Sequence, residues 1–195
     1  MEYIYGKGIE HRDLKAENCL VVIENGQYRA KITDFGLSKS KIIITQSTGR
    51  TLANGASGTA THMAPEILLS NSNELFCEES DVYSYSIVMY EVLSRKAAFK
   101  GLNVTQIIAQ ISQRNRPSPI PTDSPAALIT LMEECWAHDT AMRPKFERVL
   151  EDLRSVAEDM NLGSVTLSSP PPLPPVSRFT RVLRIYSVVS NAWYR

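Results

Sequence analysis

One ordered pair of polar strings constrains this chain more than any other feature. His11-Arg12-Asp13-Leu14-Lys15-Ala16-Glu17-Asn18 is followed, sixteen residues after Asn18, by Asp34-Phe35-Gly36. Two short β-type runs, residues 19–23 and 28–33, lie between the strings and flank Asn25-Gly26. That dipeptide predicts a hairpin, because its turn needs positive φ at both central residues. The polar groups therefore sit on loops around a small antiparallel platform and not on a helix face.

The rest of the chain reads mainly as helix. Residues 1–13 look like the end of a helix followed by a turn at Gly6 and Gly8. Residues 37–63 are rich in Ser, Thr, Gly, Ala and Lys and read as a long, mostly irregular segment, of a length usually either functional or disordered. Residues 81–94 are apolar on nearly every face, which predicts a helix buried on all sides, with Asp81 as its start signal. Residues 103–114 and 125–137 show helical spacing, and Pro117, Pro119, Pro121 and Pro125 forbid helix between them. Residues 144–160 predict a last helix, with Pro144 near its first position and Phe146, Val149, Leu150 and Leu153 on one face.

Composition excludes several classes. The 195 residues carry 21 basic and 21 acidic groups, which argues against a whole-surface electrostatic claim on nucleic acid. Residues 1–160 hold 17 of the basic groups and all 21 acidic ones, a net of −4, while residues 161–195 add only four arginines. Cys19, Cys77 and Cys135 are far apart and odd in number, as expected of free thiols in a reducing cytosol. No apolar run approaches a membrane span, and the first residues lack a signal-peptide layout, so a cytoplasmic location is expected.

His11-Arg12-Asp13, Asp34-Phe35-Gly36 and Ala64-Pro65-Glu66, in that order, resemble the catalytic loop, metal-binding loop and activation-segment end of a protein kinase. Asp81-Val82-Tyr83-Ser84 resembles the start of the central buried helix of the kinase C-terminal lobe. Cys135-Trp136 with Arg143-Pro144 resembles the late signature of tyrosine kinases and their serine/threonine relatives. The resemblance runs from near the start to about Met160. It implies an α+β, mainly α fold: a kinase C-terminal lobe with a small hairpin, residues 1–160, then a Pro/Ser-rich linker, 161–177, and a disordered basic tail, 178–195.

The resemblance also implies roles and cofactors. ATP supplies the phosphoryl group and Mg²⁺, a hard cation, takes oxygen ligands from Asn18 and Asp34. Asp13 orients or accepts the proton of the substrate hydroxyl, and Lys15 sets a positive charge near the transferred phosphoryl. Leu20 lies under the adenine. His11 and Phe35 stack between the two loops, Asp81 hydrogen-bonds the catalytic-loop backbone, and Glu66 pairs with Arg143. Arg12 resembles the arginine that meets a phosphorylated activation loop, with Thr45, Ser47, Thr48, Thr51 and Ser57 as candidate acceptors. Thr59 resembles the threonine that touches the catalytic Asp and Lys in serine/threonine kinases, and Lys15 leans the same way. The Cys135-Trp136 pattern leans towards tyrosine kinases, and the tyrosine-kinase-like serine/threonine group reconciles both.

The departures are His62 where many kinases have Tyr, and Ser86 where the buried helix usually has Gly. No glycine-rich phosphate loop precedes His11 in this sequence. Ala30-Lys31 superficially resembles the end of the kinase strand-lysine motif but lies in the wrong place. The expectation is therefore serine/threonine protein phosphorylation as the family activity, with this stretch alone idle. The alternative is a catalytically silent lobe that docks partners. Pro170 to Pro175 offers a proline-rich ligand for a PxxP-binding domain, but Arg178 is not at the usual offset and a plain linker is favoured. The tail, with Phe179, Trp193 and Tyr194, is likewise read as a disordered end before a membrane-surface contact.

Overall fold

The computed structural model describes residues 1–6, 8–24, 27–35, 60–69 and 76–160. The expected turn at Asn25-Gly26, Gly36, the candidate acceptors, Thr59, the proline run and the tail lie outside the described residues.

A short helix α1 (Glu2–Tyr5) leads into the first polar string. Gly8, at φ 69°, takes the chain out of it through a left-handed turn that favours glycine. A 3₁₀ turn, Ala16–Asn18, then opens into β1 (Cys19–Glu24), which pairs antiparallel with β2 (Gln27–Ile32) in the register Cys19 to Ile32 and Val21 to Ala30. After α2 (Pro65–Leu68) come α3 (Glu78–Ser94), α4 (Val104–Ser112), α5 (Ala126–Cys135) and α6 (Phe146–Asp159). Among the described residues the fold is mainly helical with one two-stranded sheet.

Helix α3 organises the core. From Ser80 to Val92 every residue except Tyr85 is buried, as an apolar surface on all sides requires. It packs against α5, α5 packs against α6, and Leu14 and Ala64 bring the polar loops onto the same cluster. The helix starts at Glu78, three residues before the sequence-based expectation, with Cys77 in extended conformation as its cap. Glu78, Glu79 and Asp81 all lie in its first turn, where carboxylates suit the helix dipole. Asp81 is not the cap because its carboxylate is used elsewhere.

Helix α4 begins with a reciprocal capping box: the Gln106 amide donates to Asn103 at 3.0 Å and the Asn103 amide to Gln106 at 2.9 Å. Helix α6 starts at Phe146, so Pro144 lies just outside the helix and not at its first turn. The reason is tertiary. The Phe146 amide donates to the Glu78 carboxylate of α3 at 2.8 Å, and Lys145, in extended backbone, reaches Glu79. No helix among the described residues is long and apolar enough to cross a membrane.

Candidate active site

Residues 9–18 form an irregular loop that the core holds from below. Asp81, only 2% exposed, accepts the His11 amide at 2.7 Å and the Arg12 amide at 2.9 Å. The Tyr5 hydroxyl donates to the same carboxylate at 2.5 Å. Burial pushes the Asp81 carboxyl above its ordinary range, and the Tyr5, His11 and Arg12 donors oppose that rise. Arg12 takes φ 66°, a left-handed conformation disfavoured for a residue with a Cβ. The bonds to Asp81 hold it there, and this strain sits immediately before Asp13.

Asp13 is the centre of the polar group. Its Oδ2 accepts from Lys15 Nζ at 2.7 Å and from Asn18 Nδ2 at 3.1 Å. Asn18 Nδ2 also donates to the Asp13 carbonyl at 2.8 Å. The Asp13 and Lys15 side chains are 8% and 19% exposed, enough enclosure to fix their geometry while leaving a route to a reactant.

The second string is tied to the first through Thr33. Its amide donates to the Asn18 carbonyl at 2.8 Å, its hydroxyl to the same oxygen at 3.2 Å, and its carbonyl lies 3.0 Å from His11 Nε2. His11 is fully buried, and its ring stands 5.0 Å from that of Phe35. Asp34, between Thr33 and Phe35, is exposed at φ 63°. Two left-handed non-glycine residues, Arg12 and Asp34, thus flank the site, and such strain concentrates where geometry serves function. Leu20 on β1 is 37% exposed.

Glu66 and Arg143 meet as a forked pair. Arg143 Nη1 and Nη2 each donate to one Glu66 oxygen at 2.8 Å, with the arginine side chain 0% exposed. Its remaining donors reach the carbonyls of Ala137, Glu79 and His138, and the guanidinium lies 5.1 Å over the Tyr83 ring. Ser80 adds its hydroxyl to Glu66 at 3.0 Å. The pair anchors α2, and with it Met63 and Ala64, beside the Asp13 loop. Arg12, Asp13, Met63, Ile67, Phe76 and Ser80 line a shallow open cleft.

Asn18 and Asp34 suit a hard divalent cation. Asn18 uses its amide nitrogen on Asp13, so its oxygen end is the atom that could meet a cation. No group of three or more His, Cys, Asp or Glu that could hold a metal occurs among the described residues. A two-residue oxygen set completed by phosphate oxygens is how Mg²⁺ is usually held.

Three contributors escaped the sequence reading: Tyr5 on Asp81, Thr33 between the strings, and Glu10, whose carboxylate accepts from Arg12 at 2.7 Å. Only Glu10 left a trace in the sequence, since residues two apart in extended chain share a side.

Residues 1–153 match the family described as protein tyrosine and serine/threonine kinase. The chain belongs to this family. It is 30% identical over 83% of its length to a probable LIM domain-containing serine/threonine-protein kinase of Dictyostelium discoideum, of which it covers 23%. It is 32% identical over 84% of its length to a serine/threonine/tyrosine-protein kinase of Arabidopsis thaliana, covering 39% of that protein. A dual specificity protein kinase of Dictyostelium discoideum is 35% identical over 76% of the chain, which covers 27% of it. The chain thus spans roughly a tenth to two fifths of the length of the curated relatives it matches.

Within this kinase sequence the two departures are filled by polar contacts. Ser86, fully buried, donates its hydroxyl to the Tyr83 carbonyl at 2.6 Å. His62 lies 3.4 Å from Glu91, whose other oxygen accepts the Ala98 amide, and Ser84 donates to the His62 carbonyl at 2.8 Å.

Proposed function

We propose that residues 1–160 are the C-terminal lobe of a serine/threonine protein kinase that phosphorylates protein hydroxyls. The observation that carries this reading is the Asp13 carboxylate, one oxygen of which is held by Lys15 and Asn18 on a loop strained at Arg12. Phosphoryl transfer asks little covalent chemistry of the protein; it asks for positioning and charge. Asp13 Oδ2 is fixed by its two donors, so Oδ1 receives the proton of the attacking hydroxyl and aligns that oxygen. Lys15 keeps a positive charge beside the carboxylate, where it opposes charge developing on the transferred group.

Asn18 and Asp34 would hold Mg²⁺, and Leu20 would meet the adenine of ATP from its exposed side. When bound, Mg-ATP supplies the phosphoryl group and neutralises its oxygens. By resemblance, Arg12 would meet a phosphate on the activation segment and Thr59 would act beside Asp13 and Lys15. Lys15, two residues after Asp13, supports a serine/threonine preference, and a protein substrate follows from the family. A cytoplasmic protein is the consistent setting.

The test is transfer of labelled γ-phosphate from Mg-ATP to a generic protein substrate by the full-length protein, with identification of the phosphorylated residue type. Loss by about 10²-fold or more in Asp13→Ala, with phosphoserine or phosphothreonine as product, supports the proposal. Unchanged transfer in that variant overturns it. Absence of both transfer and a Mg-ATP-dependent rise in melting temperature favours a docking lobe instead.

A further inference from the structure

We propose that Glu10 is a positioning residue, the built-in counter-ion of Arg12, which keeps the catalytic loop in shape without a phosphate on the activation segment. The proposal rests on reading Asp13 as the catalytic carboxylate.

Arg12 is already enclosed. Glu10 Oε2 accepts from its Nε at 2.9 Å and from its Nη2 at 2.7 Å. Those two N–H groups form one edge of the guanidinium, a fork that binds carboxylates and phosphates alike. The Phe76 ring lies 5.2 Å under the guanidinium carbon, and the Arg12 and Glu10 side chains are 14% and 22% exposed. The backbone is held separately, by Asp81 at the Arg12 amide. Side chain and main chain are thus each fixed by an acidic residue, and together they hold the left-handed turn that presents Asp13.

The local charge supports the same conclusion. Among the described residues, the Arg12 guanidinium is paired with Glu10 and the Lys15 ammonium with Asp13, so each cation already has its carboxylate. A phosphate needs a cationic surplus to gain charge-assisted hydrogen bonds, and beside carboxylates it meets repulsion. An incoming phosphate at Arg12 must displace Glu10 from the Nε–Nη2 edge. It replaces a bond already made instead of adding one. The carboxylate is permanent where a phosphate is conditional, so the loop is constitutively ordered.

The experiment has two arms on the full-length protein. In the first, amide hydrogen exchange compares wild type with Glu10→Gln, which keeps the shape and removes the charge. About tenfold faster exchange at Arg12 and Asp13, with α3 amides unchanged, supports the proposal; a difference under about twofold overturns it. Glu10→Asp, which restores the charge on a shorter arm, recovers part of the protection.

In the second arm, phosphatase-treated wild type keeps its kcat within about twofold, while phosphatase-treated Glu10→Gln loses about tenfold or more in kcat at unchanged KM for ATP. A tenfold loss in phosphatase-treated wild type overturns the proposal, as does wild-type kcat in treated Glu10→Gln. If Asp13→Ala transfers phosphate as well as wild type, the kinase reading fails instead, and the exchange arm still decides the role of Glu10.

Discussion

Replacing Arg143 with Met gives the most quantitative test of how the site is held. The side chain is 0% exposed and joins Glu66 on α2 to the first turn of α3 through the Glu79 carbonyl, and to the segment before α6 through Ala137 and His138. Methionine keeps an unbranched apolar stem but removes the guanidinium, with its charge and every donor. Glu66, 17% exposed, is left with the Ser80 hydroxyl, and the carbonyls of Glu79 and Ala137 lose a 2.8 Å partner each. Removing one member of a buried pair costs about 3–5 kcal/mol, a large share of a total stability of about 5–15 kcal/mol. For a unit of this size each kcal/mol moves the melting temperature by about 2–4 °C, so a fall of about 6–20 °C is expected. Urea unfolding of the 195-residue chain, followed by tryptophan fluorescence with Trp136 buried in the core, measures the free-energy cost. The double variant Glu66→Leu with Arg143→Met recovers at least about 2 kcal/mol, because paired apolar groups leave no orphaned charge. A cost under about 1 kcal/mol for Arg143→Met, or a double variant equal to the sum of the singles, refutes the reasoning.

Three further outcomes follow from particular contacts. Tyr5→Phe removes only the hydroxyl that donates to Asp81, and it lowers stability by about 1.5–3 kcal/mol in the same urea assay; no change would mean that the His11 and Arg12 amides suffice. Burial pushes the Cys19 and Cys135 thiols up to about 12, so at pH 8 a thiol reagent labels half-buried Cys77 first and reaches the other two only on unfolding, a sequence read by mass spectrometry. Burial opposes ionisation of Glu79, but the hydrogen bonds from Lys145, Cys77 and the backbone, with the Lys145 charge, together hold its carboxyl below the usual 4.5. A depressed carboxylate stabilises the fold above its unfolded value and loses that contribution as pH falls through its folded value. Lys145→Ala therefore costs under about 1 kcal/mol at pH 7, since Lys145 is largely exposed, and the gap between variant and wild type closes in acid titration below pH 4.5.

Much of this architecture was legible in the sequence, for local reasons. The all-apolar stretch of α3, the helical spacing of α4 and the two β runs each declare themselves within a few residues. The misplaced boundaries have one cause. Asp81 and Glu78 look like start signals for their own helix, yet Asp81 serves a loop seventy residues earlier in the chain and Glu78 caps α6, sixty-eight residues later. The site divides along the same line. The residues from His11 to Asn18 are read together because they are contiguous, and Glu66 finds Arg143 across 77 positions only through family resemblance. Tyr5 and Thr33 act on partners that no local pattern names. Backbone sign is equally silent: nothing in the letters Arg12 or Asp34 announces φ above 60°.

The central claim is that Asp13, held by Lys15 and Asn18, is the carboxylate that receives the substrate proton. Asp13→Asn keeps the shape of the side chain and removes its basicity. The direct measurement is kcat of the full-length protein for γ-phosphate transfer to a serine-containing protein, beside that of the variant. A fall of about 10²-fold or more at little-changed KM for ATP is the predicted result. Full activity in Asp13→Asn, with the fold intact by hydrogen exchange in α3, would contradict it.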